Sequence, residues 1–333
     1  MSAPKVSVVM PVYNTKEEFL REAISSIISQ TYTDFEFLVV DNGSLNYIKD
    51  IVNSYKDERI FYYRIEENKG PAFARNYGID KSRGSYIAFM DSDDVSLPTR
   101  LEKQVNFLEN NPEFGCIGTA TEVVSDDASK MNFNSLRDHF EIECSLVVLG
   151  CTFCQSSVML RKSVVDKYNI RYRAEWVPAE DYGLYIDLLG KTKFKILDDV
   201  LVKYRFYHGN TSHRLKKEQY NASRIIQNYA INKYCNVKTK NPQLLSKFIF
   251  GETLTYSELN ELSSVMEQLI EELCKYGCPR NIVTQVLRKK VKKYFYHCHS
   301  LQGQLNLMIS PINKKFNLPF TWRLMCLITR GIF

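Results

Sequence analysis

The sequence predicts an α/β protein with a mostly parallel central sheet flanked by helices, followed by a helical C-terminal extension. Three observations carry that expectation. Before residue 213, short apolar runs of strand length alternate with helix-period stretches, the pattern of repeated βαβ units. Several of those runs end in clusters of Asp, Asn, Gly and Ser, the residues that turn a chain at strand ends. Beyond residue 213 the remaining pattern is helical and increasingly basic.

Residues 5–12 read as a first buried strand. Thr15-Lys-Glu-Glu18 has capping-box spacing, and Phe19, Leu20, Ala23, Ile24, Ile27 and Ile28 recur at helical spacing, so one face of that helix lies on a sheet. The stretch 30–34 ends it. A second strand, 35–40, finishes in Asp41-Asn-Gly-Ser44, completing a unit that requires a parallel pair. A helix over 47–55, a strand over 60–65 and a helix opened by Pro71 repeat the pattern. Residues 86–90 form a run too short for a typical helix. Leu97-Pro98 opens a helix with Leu101, Val105 and Leu108 on one face, stopped by Asn110-Asn-Pro112. Strands are expected over 114–121 and 155–160, a solvated turn at Asp126-Asp127, a helix over 182–189 closed by Gly190, and an edge strand or hairpin over 193–206. In the extension, 215–234 and 256–275 are helical, the second with Leu259, Leu262, Met266, Leu269, Ile270 and Leu273 on a face and Gly277 beyond its end.

A chain of 333 residues can bury a large core and form one large domain plus a smaller one. No run approaches the roughly 18 apolar residues of a membrane span, and no basic-then-apolar leader opens the chain, so a cytoplasmic protein is expected. Nine cysteines at irregular spacing point to free thiols in a reducing compartment. The net charge of +6 is divided unevenly. After Glu272 there are eleven Lys and Arg and no Asp or Glu, whereas the preceding residues carry 33 basic against 38 acidic side chains. An acidic body with a basic, aromatic-bearing tail predicts attraction to a polyanionic surface, lipid or nucleic acid.

Chemistry concentrates at the strand ends. Asp91-Ser-Asp-Asp94 follows the 86–90 run, at the carboxyl end where open α/β sheets bind ligands. In extended backbone Asp91 and Asp93 point the same way, a pair of hard oxygen donors suited to Mg²⁺ or Mn²⁺ carrying phosphate. Arg75, about one turn into a helix, suits a phosphate. Glu175, Glu180 and Asp181 lie near a helix start, where carboxylates are stabilised by the dipole and where one could act as a general base. His208, beside Gly209, is a candidate metal or phosphate ligand. Cys151-x-x-Cys154 has no second CxxC, and Cys274, Cys278, His297 and His299 fit no zinc spacing.

Four stretches resemble glycosyltransferase family 2, the inverting enzymes of GT-A fold that build bacterial surface polysaccharides. They are Val6-Ser-Val-Val-Met-Pro-Val-Tyr-Asn14, Phe35-Glu-Phe-Leu-Val-Val-Asp41 with Gly43-Ser44, Ala74-Arg-Asn76 with Gly78, and Asp91-Ser-Asp-Asp94. Glu180-Asp181 and Tyr204-Arg-Phe-Tyr-His208 match later blocks more loosely. The resemblance implies a nucleotide-diphospho-sugar fold over 1–213, with a nucleotide-binding half of 1–94, an acceptor half of 95–213, and a basic helical region over 214–333. It implies a UDP-sugar pocket from Pro11, Val12, Tyr13, Asn14, Asp41, Arg75, Asp91, Ser92 and Asp93, with Tyr13 stacking on the base and Asp41 accepting the uracil imide. It further implies Mn²⁺ or Mg²⁺ on Asp93, Asp91 and His208, Asp181 as the base and Glu180 as its companion. The acceptor, a glycan or lipid-linked saccharide, is expected near residues 151–157 and Trp176.

Asn42 stands where many members have a second Asp, and no Gln-x-x-Arg-Trp sequence follows Asp181. With no membrane spans, that absence favours transfer of one sugar at a time over processive synthesis. The expected location is cytoplasmic, with peripheral attachment to the inner face of the cytoplasmic membrane through the basic tail, and no nucleic-acid partner. Two other readings compete. A membrane- or nucleic-acid-binding module on a degenerate scaffold predicts salt-dependent polyanion binding without nucleotide binding. A sugar nucleotidyltransferase requires a Gly-rich loop after the first strand, and Pro11-Val-Tyr-Asn14 supplies none.

Overall fold

The computed structural model describes residues 3–45, 47–125, 132–133, 138–241, 243–297 and 311–316. Its first elements are β1 (Val6–Val12), α1 (Glu17–Ile28), β2 (Phe35–Asn42), α2 (Tyr47–Asn53), β3 (Ile60–Ile65), α3 (Pro71–Lys81) and β4 (Tyr86–Phe89). There follow β5 (Val95–Ser96), α4 (Arg100–Asn110), β6 (Phe114–Ser125), β7 (Asn132–Phe133), α5 (His139–Val148), β8 (Met159–Arg161), α6 (Lys162–Lys167), α7 (Glu180–Leu188) and β9 (Lys193–Phe206). The strands form one sheet in the order β3-β2-β1-β4-β8-β6-β9-β5, with β7 added on β6. The long ladders, β1 with β2 and β4, β2 with β3, and β6 with β9, are parallel. Those involving β5, β7 and β8 are antiparallel and only two or three residues long. The sheet is therefore mixed, with most of its paired length parallel.

The apolar runs explain the central strands. Every residue of β2 is buried, and β1 is buried except for partial exposure at Pro11, as expected of strands covered on both faces. Val6, Val8, Met10 and Val12 point into a core shared with Leu20, Ala23, Ile24 and Ile27 of α1. Val9 points to the other face, where α3 packs so closely that a Cβ on Gly78 would come within 2.3 Å of Val9 Cγ1. Because β2, β1 and β4 are neighbouring and parallel, with Val12 opposite Asp41 and Val9 opposite Phe89, their carboxyl ends meet at one edge of the sheet. The three polar segments that follow them are brought together there.

The structure departs from the sequence expectation in several elements. Thr15 does not cap α1: Lys16 is the N-cap without a side-chain bond, and the Thr15 hydroxyl lies 2.6 Å from Ser92 Oγ. Residues 155–157 form a 3₁₀ turn, so the strand there shrinks to β8. β9 is a single 14-residue strand between β6 and β5 rather than an edge or hairpin. β6 continues to Ser125, α4 starts at Arg100, and α7 starts at Glu180, two residues before the expected start. Asp126-Asp127, His299 and residues 317–333 lie outside the described residues.

Two compact units divide the chain, 1–142 with 151–223 and 143–150 with 224–333. The first contains the sheet and α8 (Thr211–Arg214), and α9 (Lys216–Tyr234) runs from it into the second. The second adds α10 (Leu244–Ile249), α11 (Tyr256–Lys275), α12 (Arg280–His297) and the short helix Pro311–Phe316. α11 opens with a Thr255–Glu258 capping box and buries the face read from its sequence, each full burial of a Leu or Ile contributing roughly 1.5–3 kcal/mol. α12 buries Val283, Val286, Leu287, Val291 and Tyr294. Among the described residues no helix is long and apolar enough to cross a membrane.

Candidate active site

The segment after β4 is held from below and behind. Arg100 is fully buried and donates from its guanidinium to Phe89 O at 2.7 Å; burial pushes its pKa down to about 10. Asp94 is also fully buried, accepting from the Ser156 hydroxyl and from Arg205 N at 2.8 Å. Ser156 Oγ in turn accepts from Asp91 N at 3.0 Å, and Ser92 pairs with Thr15. Asp94 and Ser92 are thus anchors, and Asp91 and Asp93 are left partly exposed at the sheet edge. Tyr207 Oη donates to Asp93 at 3.3 Å and Arg205 Nε to its carbonyl at 2.9 Å. Burial, then the neighbouring Asp91, raise the Asp93 pKa to about 6.

α3 supplies Arg75 from a helix begun by Gly70, at φ 85°, and Pro71. The Arg75 side chain is buried and bridges two carboxylates, Asp91 at 2.9 Å and Glu180 through a short ion pair. It lies over the Tyr172 ring, whose hydroxyl accepts from Gln155 Nε2 at 2.6 Å while Gln155 Oε1 accepts from Tyr185. Glu180 and Asp181 are the first two residues of α7. Asp181 accepts from Tyr182 N at 2.7 Å. Surrounding protein, then Glu180, raise its pKa to about 6 against the opposing pull of Arg75. A carboxylate so tuned can accept a proton near neutral pH.

On the β1–β2 side Tyr13 is 48% exposed, its ring available for stacking. Asn14 takes the left-handed conformation (φ 49°) and is tied to the turn after β2 through Ser44 Oγ and Leu45 N. Val12 contributes backbone only, because its side chain belongs to the core. Asp41 is fully buried and accepts from Ser44 N, Tyr62 Oη and Arg64. Gly43, at φ 78°, makes the turn possible, since a Cβ there would lie 2.6 Å from Asn68 N. Asn42 uses both halves of its amide, donating to Asn68 Oδ1 and Gly70 O and accepting from Lys69 N. A carboxylate could not make the two donations, which accounts for an amide at this position.

His208 is exposed, with its Nδ1 3.1 Å from His213 Nε2. Among the described residues no three His, Cys, Asp or Glu side chains converge into a metal-holding group, which applies to Asp91, Asp93 and His208 and equally to Cys274 and Cys278. Two crowded carboxylates, one with a raised pKa, nevertheless fit a divalent cation of the kind that takes one or two protein carboxylates and completes its shell with substrate phosphate and water. Trp176 is buried against Gly183 and under Arg173, so its ring is not an open acceptor platform.

Several supporting residues carried no sequence signal. Arg100, Ser156, Arg205, Tyr62 and Arg64 act through partners 11 to 111 residues away. Arg205 and Tyr207 lay in a segment already singled out, Tyr204–His208, and Ser156 in the stretch 151–157 expected near the acceptor, but their partners were not legible.

The Glycosyl transferase family 2 profile matches residues 7–168. An uncharacterised glycosyltransferase, MJ1057, of Methanocaldococcus jannaschii is 32% identical over 251 residues, 71% of this chain and 83% of the relative. The Escherichia coli UDP-Glc:alpha-D-GlcNAc-diphosphoundecaprenol beta-1,3-glucosyltransferase WfaP is 29% identical over 235 residues, 68% of this chain and 87% of its own length. Among solved structures, S. aureus TarS 1–349 in complex with UDP-GlcNAc superposes with a TM-score of 0.59 at 16% identity, covering 95% of this chain and 93% of that one, a likeness of fold. With a GT-A-like sheet and helical extension, and with relatives of this similarity, the chain belongs to glycosyltransferase family 2 and is a glycosyltransferase.

Proposed function

We propose that the chain transfers a single sugar from a UDP-sugar to a hydroxyl of a glycan or lipid-linked saccharide, in the synthesis of O-antigen, capsule or another surface polysaccharide. One observation carries this reading: Asp181, with a pKa raised to about 6, starts α7 beside Glu180, which is linked through Arg75 to Asp91 at the sheet edge. A proton acceptor and the Asp91–Asp93 carboxylate pair suited to a metal thus share one site. The catalytic unit is assigned to 1–213, with 1–94 serving the donor and 95–213 the acceptor.

Tyr13 stacks on the base, and Asp41, covered and held by Tyr62 and Arg64, accepts the uracil imide once one of those side chains turns aside. Pro11, Val12 and Asn14 shape the pocket through backbone, Ser92 fixes the loop, and Asp91 meets the ribose. Asp93 and Asp91, with His208 turned from His213, are the residues that would hold Mn²⁺ or Mg²⁺, which when bound supplies charge stabilisation of the departing diphosphate. Asp181 removes the acceptor hydroxyl proton as that oxygen bonds to the anomeric carbon. The bond from that carbon to the diphosphate oxygen breaks, and UDP leaves with the electron pair. Attack from the opposite face inverts the centre and gives a β-linkage from an α-linked donor. The UDP-sugar and lipid-diphosphate acceptor in the name of WfaP support this choice of substrates. A cytoplasmic location with peripheral attachment at the inner membrane face suits a lipid-linked acceptor.

The test is UDP release with Mn²⁺ from a panel of UDP-sugars, with and without lipid-diphosphate saccharide acceptors. Wild type should release UDP, with Asp93→Ala and Asp181→Ala at least about 100-fold slower. Variants as fast as wild type would refute the site assignment.

A further inference from the structure

We infer that Arg75 is a positioning residue, a strut that fixes the Asp91 loop to the N-terminus of α7, rather than a ligand of the donor phosphates. The inference rests on the transferase assignment above.

The geometry supports it in three ways. Nη2 donates to Asp91 and Nη1 to Glu180, Nε is buried without a partner, and the residue is only 8% exposed, so the guanidinium faces protein rather than the open site. A phosphate ligand needs at least one of those donors turned to the substrate. The two carboxylates also lie on different parts of the site, 16 and 105 residues from Arg75 in sequence. One planar guanidinium sets their separation in a way that a flexible Lys ammonium could not. Finally, the strut is itself braced. Tyr172 lies beneath the guanidinium, and the next residue of α3, Asn76, exchanges two hydrogen bonds with the Tyr172 backbone at 2.8 and 2.9 Å. The buried Gln155–Tyr185 pair holds the Tyr172 hydroxyl. The neighbour of Glu180, Asp181, therefore takes its place relative to the Asp91–Asp93 pair through Arg75.

The experiment is a double-mutant cycle of Arg75→Met and Glu180→Gln with Arg75→Lys as a milder variant. It is read as transfer kcat at saturating donor, as UDP affinity by calorimetry and as urea midpoints. A strut predicts that each single change lowers kcat by about 100-fold, the scale of a misplacement near 1 Å. The double variant should fall within about threefold of the slower single, because both break one connection. Arg75→Lys should bind UDP within about threefold of wild type and still lose at least tenfold in kcat. A tenfold or greater loss of UDP affinity in Arg75→Lys with kcat retained would overturn the inference, as would kcat losses that multiply in the double variant. If wild type transfers no sugar, the transferase assignment fails separately. The urea midpoints then decide alone: coupled changes support the strut and additive ones refute it.

Discussion

At the residue scale the site depends on carboxylates whose surroundings differ. Asp181 has its pKa raised to about 6, and a base works only when ionised, so transfer should climb about tenfold per pH unit up to about 6 and level off above it. The same shift carries a stability sign. A carboxyl group with a raised folded-state pKa favours the protonated form on folding, so its ionised form costs stability above pH 6. Asp181→Asn should therefore unfold at a urea concentration no lower than wild type at pH 7 while transferring at least about 100-fold more slowly. A purely structural Asp would lose stability and activity together. Asn42→Asp should behave in the opposite way, losing two donor bonds and about 1–3 kcal/mol of stability, visible in the urea midpoint. Asp91, Asp93 and Asp181 were legible in the sequence because polar residues at strand ends and helix starts are local features. The amide requirement at Asn42 was not, because its partners, Asn68 and Gly70, come from a loop 26 and 28 residues away.

At the element scale, α3 is the helix on which the site depends most. It lies on β1 without a side chain at Gly78, where an added Cβ would meet Val9 Cγ1 at 2.3 Å. Gly78→Ala should push α3 outward and cost about 1–3 kcal/mol. Arg75 lies within a turn of that contact, so the transfer rate should fall as well, and a urea melt paired with a rate assay checks both. Pro71 and the repeated strand–helix pattern made α3 readable, and helical periodicity located α11 to the residue. Residues 155–157 were misread because Ser156 and Ser157 sit beside an apolar run, while the Ser156 hydroxyl is spent on distant Asp94 and that of Ser157 closes the turn on Cys154 O. The sequence left 193–206 as an edge strand or hairpin, since Asp198-Asp199 interrupts its apolar run. The ladder instead shifts register there, with Leu197 opposite Thr119 and Val200 opposite Ala120, and the strand continues past the two acidic residues.

At the scale of the whole molecule the charge division is the feature that the sequence displays most openly and explains least. Eleven basic and no acidic residues follow Glu272, but α12 spends its apolar face on the interior of its own unit. Attachment to a bilayer through α12 would therefore be electrostatic rather than inserted. Binding to vesicles containing phosphatidylserine should be measurable at low salt and largely lost by about 0.5 M, as screening shortens; salt-insensitive binding would contradict this. Charge counts alone could not separate a membrane contact from a solvated packed helix, since both need Lys on the outside. The mostly parallel sheet was legible in the repeated βαβ pattern, whereas the meeting of β1, β2 and β4 at one edge follows from a strand order that only the structure gives.

The most direct test of UDP-sugar use at this edge is a thermal-shift titration with UDP, GDP and dTDP, each with and without Mn²⁺, on wild type and Asp93→Ala. UDP with Mn²⁺ at about 100 times its Kd should stabilise wild type by about 2.7 kcal/mol. GDP and dTDP should do less, and Asp93→Ala should lose the Mn²⁺-dependent part. Indifference of wild type to UDP with Mn²⁺, or equal stabilisation of Asp93→Ala, would contradict the central claim.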